Sequence, residues 1–158
     1  MVMVEIERKF LVVSNGFKSE AFKKTRLIQG YLNSDKQRAV RVRLHGESAF
    51  LTVKGPSSKN GLSRFEWEKE IPVNEAKELL NLCEPGIIDK IRYEVKLKNH
   101  IFEIDEFFGD NQGLVVAEVE LKHESETFEK PSWLGEEVTG IPKYYNAQLS
   151  KHPFKTWK

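Results

Sequence analysis

The chain has 158 residues, enough for one domain with its own core and too few for two comfortable ones. Lys and Arg number 25 against 24 Asp and Glu, so the formal net charge is +1, without the basic excess of a general nucleic-acid binder. Cys83 is the only cysteine, which excludes an intramolecular disulfide and a thiolate zinc cluster, and no apolar run approaches the roughly 20 residues that span a bilayer.

In chain order, the first residues put charge where a signal peptide needs an apolar core, so a cytoplasmic protein is expected. Val4, Ile6 and Phe10 alternate with Glu5, Glu7 and Lys9, the period-two pattern of a strand. Asn15 to Lys24 carries Phe17, Ala21 and Phe22 at helical spacing. A weaker strand is expected from Thr25 to Leu32. Val40, Val42 and Leu44 then alternate with Arg41 and Arg43, and Leu51 and Val53 with Thr52 and Lys54. Phe65, Trp67 and Ile71 alternate with Arg64, Glu66, Glu68 and Glu70.

Asn74 is placed to N-cap a helix over Glu75 to Leu82, ended by Pro85-Gly86. Ile91, Tyr93, Val95 and Leu97 alternate with Lys90, Arg92, Glu94 and Lys96. Phe102 and Ile104 alternate with Glu103 and Asp105, and Val119 and Leu121 with Glu118 and Glu120. Glu129 to Gly140, with Pro131 and two glycines, reads as a loop. A short amphipathic helix from Lys143 to Ser150 and a frayed tail complete the chain. These elements describe a single domain over 1–158, mainly β with flanking helices (α+β), in which about eight antiparallel strands are joined by short turns.

Alternation ordinarily puts the apolar face inward and the charged face in water. Here the charges come in blocks of one sign, Glu-x-Glu and Arg-x-Arg, on different strands. Like charges two apart on a strand face lie roughly 7 Å from each other and repel unless the opposite sign is near. A barrel closing with these faces inward sets carboxylates against guanidiniums across a lumen. About eight strands enclose one small ligand, and such a lumen suits a polyanion with a divalent cation.

Glu5-Ile-Glu7-Arg-Lys9 resembles the opening signature of the CYTH superfamily, the triphosphate tunnel metalloenzymes. Arg41-Val-Arg43, Thr52-Val-Lys54, Glu66-Trp-Glu68, Lys90-Ile-Arg92-Tyr, Glu103-Ile-Asp105 and Glu118-Val-Glu120 follow in the family's order, from about residue 3 to residue 150. The resemblance implies an eight-stranded antiparallel β-barrel tunnel acting on triphosphates with Mg²⁺ or Mn²⁺. Gln29 to Leu32 and Tyr144 to Asn146 are similar to segments of short bacterial members that hydrolyse inorganic triphosphate.

On that basis Glu5, Glu7 and Glu120 are expected to ligate metal, with Glu118, Asp105 and Glu103 as a second carboxylate group. Pairing with Arg across the lumen is the alternative for Glu103 and Glu118. Lys9, Arg41, Arg43, Lys54 and Arg92 form the expected triphosphate clamp, with Glu66 and Glu68 in support and metal ligation as their alternative. The resemblance further implies a Lys90–Tyr31 pair that moves protons; Tyr31 is equally readable as a rim aromatic. Tyr144, Tyr145, Asn146 and Leu149 either cap one mouth or pack outside. His45, His100, His123 and His152 show no metal-ligand spacing and are taken as surface residues.

The expected activity is hydrolysis of inorganic triphosphate, or of another small triphosphate-bearing molecule, to release phosphate. No nucleic-acid or membrane partner is expected, and the sequence leaves monomer and homodimer open. Class IV adenylate cyclase, thiamine triphosphatase and a non-catalytic polyphosphate or nucleotide-binding module are the competing readings. Trp67, pointing out of the tunnel, is unavailable to stack on a thiazolium.

Overall fold

A computed structural model describes residues 3–157; Met1, Val2 and Lys158, which the single-domain expectation included, lie outside the described residues. Among the described residues, nine strands form one antiparallel sheet: β1 (Met3–Val12), β2 (Lys23–Asn33), β3 (Ala39–His45), β4 (Ser48–Ser57), β5 (Ser63–Glu70), β6 (Ile88–Leu97), β7 (His100–Phe107), β8 (Val115–Glu120) and β9 (Leu134–Glu137). Their order is β5-β4-β3-β2-β6-β7-β8-β1-β9, and a β5–β1 pairing closes the first eight into a barrel. The first half of β1 pairs with β5 and its second half with β9. Closure removes the open edges that an eight-stranded sheet would otherwise present.

The turns follow from local chemistry. His45 pairs with Ser48, leaving a two-residue loop whose first position, Gly46, has φ +61. That is the first central position of a hairpin turn, where glycine takes positive φ without steric cost. In the connection from β5 to β6, Pro72 occupies the cap position of α2 (Val73–Asn81). Its carbonyl accepts from the Glu75 and Ala76 amides, so Asn74 falls inside the first turn rather than capping it.

Apolar residues pack mainly on the outside of the barrel. Phe10, Tyr93, Val95, Phe102, Ile104, Ala117 and Val119 form a buried layer with Phe17 and Trp133. Val42 and Ala49 are covered by Ala76, Leu79 and Leu80 of α2. A third cluster lies at one end of the barrel, on its inward strand faces. Ile88, Phe107, Leu114 and Val116 pack with Leu149 of α3 (Asn146–Lys151), and Leu11 and Tyr144 join them. Leu11, Ile88, Phe107 and Val116 lie on the same strand faces as Lys9, Lys90, Asp105 and Glu118, so this layer stops one end of the lumen with α3 against it.

Three further expectations are corrected. The helix expected over Asn15 to Lys24 is only α1 (Phe17–Glu20). Phe17 is buried against Tyr93 and Trp133, and Lys23 is already paired with Glu94, so tertiary pairing captures the end of the apolar pattern. The expected loop over Glu129 to Gly140 contains β9, anchored by buried Trp133 and by Arg8, whose guanidinium donates to both Glu137 oxygens. The tail is folded rather than frayed: 3₁₀ turns flank α3, and Trp157 packs edge-on against Tyr144 and Phe154. No helix among the described residues is long and apolar enough to cross a membrane.

Candidate active site

Strand register decides which charged side chains become neighbours. Glu7 lies opposite Glu120, and Glu118 lies between Lys9 and Glu103. Arg92 is opposite Asp105, Arg43 opposite Gln29, Arg41 opposite Tyr31 and Thr52, and Lys54 opposite Glu66. Apart from Asp105, Gln29 and Thr52, which stay buried in the wall, these side chains project from the inner pleats and converge on one cavity of about 590 Å³.

Of the expected site residues, Glu5, Glu7, Lys9, Tyr31, Arg41, Arg43, Lys54, Glu66, Glu68, Arg92, Glu103, Glu118 and Glu120 line that cavity. Lys90 and Asp105 do not; they sit behind the wall, with side chains 0% and 2% exposed. The cavity also takes in Arg64, His45, Phe50, Tyr145 and Asn146. Arg64 continues the inward face of Glu66 and Glu68, a signal present in the alternation and left unused. His45 corrects its assignment to the surface, because it shares the inward face of Arg41 and Arg43. Burial and Arg43 push its pKa down.

The clamp is held by named partners. Arg43 Nε donates to Gln29 Oε1 at 2.9 Å, and Arg41 Nη2 donates to Thr52 Oγ1 at 3.2 Å. Thr52 in turn donates to Glu68 Oε1 at 2.7 Å. Arg92 makes a bidentate pair with Asp105, at 2.8 and 2.9 Å. Asp105 also accepts Lys90 at 2.7 Å. Burial opposes its charge, but Arg92 and Lys90 hold the Asp105 carboxyl below the usual range. Both its oxygens are committed to cations, which separates it from the carboxylates on the cavity wall.

Cations crowd one side. Burial, then Arg41 and Arg92, push the Arg43 guanidinium down to about 9. Burial, opposed by Asp105 and reinforced by Arg92 and Arg43, pushes Lys90 down to about 7. Gln29 Nε2 and Arg41 Nε are buried donors without a hydrogen-bond partner among the described residues. Buried donors lacking acceptors beside a guanidinium cluster suit a ligand rich in anionic oxygens.

Acids crowd the other side. Burial and a hydrogen bond to Glu118 push the Glu7 carboxyl well up. Glu66, half-buried and hydrogen-bonded to Glu5, is pushed up to about 7. Glu5 itself is drawn down, with Lys54 Nζ 3.0 Å away, although burial opposes the shift. Glu103 and Glu120 are raised by burial and the acids around them. Among the described residues no three His, Cys, Asp or Glu groups converge into a ready-made cage. Mg²⁺ needs only one or two direct carboxylates, keeping water elsewhere, so paired carboxyls held together by a proton fit a divalent cation that replaces the proton.

One mouth is capped, resolving the alternatives for the tail. Lys9 Nζ donates to the Tyr144 carbonyl at 3.2 Å and lies 4.3 Å from the Tyr145 ring centroid. Lys90 Nζ donates to Asn146 Oδ1 at 3.2 Å.

The chain is similar to known proteins along nearly its whole length. It is 49% identical over 155 residues to an inorganic triphosphatase of Acetivibrio thermocellus, covering 98% of this chain and 97% of that one. A second inorganic triphosphatase, from Nitrosomonas europaea, is 38% identical over 152 residues, covering 94% and 97%. The solved structure of the inorganic triphosphatase NE1496 superposes with a TM-score of 0.65 at 35% identity, over 92% of this chain and 97% of that one. A Pyrococcus furiosus structure at 21% identity and TM-score 0.62, over 77% and 80% of the two chains, shares the fold. A family model described as the CYTH domain matches residues 3–150, and with the barrel, its register and these relatives together, the chain belongs to the CYTH family.

Proposed function

We propose that this protein hydrolyses inorganic triphosphate to pyrophosphate and phosphate, with Mg²⁺ or Mn²⁺ as cofactor. The observation that carries the reading is the cavity itself, where six Lys and Arg (Lys9, Arg41, Arg43, Lys54, Arg64, Arg92) face seven glutamates (Glu5, Glu7, Glu66, Glu68, Glu103, Glu118, Glu120). The near-full-length likeness to two inorganic triphosphatases supports the same substrate class. Metal dependence is general among triphosphatases of this family.

Phosphoryl transfer asks the protein for positioning and charge stabilisation. The clamp, Lys9, Arg41, Arg43, Lys54 and Arg92, holds phosphate oxygens, and Arg64 extends it. Glu5, Glu7, Glu118 and Glu120, with Glu103 at the half-exposed edge, are the residues that would hold metal. When bound, a divalent cation neutralises phosphate oxygens and makes water a stronger nucleophile. Asp105 is the clamp's counter-charge, while Glu68, through Thr52, and Glu66, beside Lys54, keep cations in place.

In the reaction a water oxygen bonds to a terminal phosphorus as the bridging P–O bond breaks, and pyrophosphate leaves. Tyr31 stands on the wall within reach of the clamp. Lys90, near neutrality, is able to take or give a proton at working pH. No hydrogen bond joins these two side chains among the described residues: Lys90 is opposite Leu27, and Tyr31 is roughly 13 Å further along β2. Tyr31 therefore faces the clamp on its own, and Lys90 is held instead by Asp105 and Asn146.

Base-binding readings find Phe50 and Tyr145, two of the three Phe and Tyr rings on the cavity wall, already engaged. Phe50 meets His45 edge-on, and Lys9 lies over the ring of Tyr145. The test is phosphate release from triphosphate, ATP and thiamine triphosphate, side by side with Mg²⁺ and with Mn²⁺. Preference for triphosphate, with equal amounts of pyrophosphate and phosphate, is expected. Cyclic product from ATP, preference for the thiamine ester, or polyphosphate binding without turnover would each replace this reading with the corresponding alternative.

A further inference from the structure

We infer that Asn146 is a positioning residue, the point at which α3 reaches the closed end of the lumen and fixes the Lys90 ammonium. The inference rests on the triphosphatase reading and assigns that site a component outside the strand motifs. Lys90 is fully buried, and its Nζ has two partners: Asp105 Oδ2 at 2.7 Å and Asn146 Oδ1 at 3.2 Å. An ammonium has three donors and no lone pair to share, so its orientation is set by whichever acceptors surround it. Asp105 pulls it toward Arg92, while Asn146 holds it toward the cavity that the amide itself lines. With Asn146 truncated, only the Asp105 anchor remains, and the ammonium is free to collapse onto it.

The apolar seal does not require an amide at this place. Leu149 and Tyr144 supply the contacts to Ile88, Phe107 and Val116. Asn146 instead belongs to a run of three residues that hold buried lysines. The Tyr144 carbonyl and the Tyr145 ring engage Lys9, and the Asn146 amide engages Lys90. The segment therefore works on the two cations at the closed end as well as stopping the barrel.

Steady-state kinetics with triphosphate and Mg²⁺ on the full chain, with Asn146→Ala, Lys90→Ala and the double variant, test this. Asn146→Ala is expected to lower kcat about tenfold, as for loss of a hydrogen bond to a charged group, with KM unchanged within about twofold. The double variant is expected to be no worse than Lys90→Ala, because Asn146 acts through Lys90. Leu149→Ala controls for seating: it loosens the seal without touching Lys90, and should lower the melting temperature while leaving kcat of the folded enzyme near wild type. Wild-type kcat in Asn146→Ala, additive losses in the double variant, or an equal kcat loss in Leu149→Ala would overturn the inference. A wild-type chain that fails to hydrolyse triphosphate sinks the functional reading instead.

Discussion

At Glu7, burial and the neighbouring Glu118 both oppose ionisation, and the carboxyl keeps its proton above the usual range. Glu118 shows the opposite outcome at the same spot. Burial opposes its charge too, but Lys9, the hydrogen bond from Glu7, Arg92 and Lys90 hold it ionised. One carboxylate and one carboxylic acid thus share a proton, and a divalent cation is the natural replacement for it. Glu7→Ala is expected to remove turnover while the barrel still folds, because it deletes a buried acid whose burial costs stability. Circular dichroism unchanged and triphosphate hydrolysis reduced at least about 100-fold are the expected readings. An unfolded variant, or one with normal turnover, would remove Glu7 from the metal-binding set.

At the scale of elements, the strands were legible and the closure at one end was not. Period-two alternation with single-sign blocks told inside from outside, since Glu5, Glu7, Arg41, Arg43, Glu118 and Glu120 all line the cavity. The same alternation concealed Leu11, Ile88, Phe107 and Val116, which share those faces but fill the end of the lumen with apolar packing. A strand pattern specifies a face; it does not specify where along the barrel axis the lining changes from polar to apolar, which shear and tilt decide. Lys90 and Asp105 stand behind the wall for a related reason: facing inward is not the same as reaching the cavity once two charges pair with each other.

The seating of α3 was also hidden, because it depends on a backbone approach rather than a side-chain pattern. Gly86 has φ +99, and a Cβ there would lie 2.0 Å from the Ser150 carbonyl oxygen. The loop before β6 and the C-terminal part of α3 are therefore in direct backbone contact. Gly86→Ala is expected to destabilise the fold by about 1–3 kcal/mol through positive-φ strain, with more if α3 stays in place. Urea denaturation measures the loss. A variant as stable as wild type would mean that α3 is free to shift without consequence.

For the molecule as a whole, a formal charge of +1 hides a separation, because the cavity alone gathers six cationic and seven acidic side chains. These nearly cancel, so the lumen cannot neutralise a polyphosphate anion unaided, and the remainder has to arrive with the ligand. Metal and anion should therefore bind with mutual reinforcement, each stabilising the fold more in the presence of the other. The pH dependence gives this a sign. Glu66 at about 7, and Glu7 higher than usual, bind more protons in the folded chain than in the unfolded one between the ordinary carboxylate range and about pH 7. Their stabilising contribution is present at low pH and lost as pH rises through those values, so the metal-free acids repel increasingly toward pH 8. Lys90, depressed to about 7, works in the opposite direction above that pH, yet it lies behind the wall and is not offered to a metal. The difference between melting temperatures with and without Mg²⁺ therefore isolates the carboxyl groups. That difference is expected to grow from pH 6 to pH 8, and to grow again when pyrophosphate is added with the metal. Scanning fluorimetry across that range is the measurement, and a Mg²⁺-dependent shift that is flat in pH, or that shrinks when the anion is present, would mean that the paired acids are not where the cation binds.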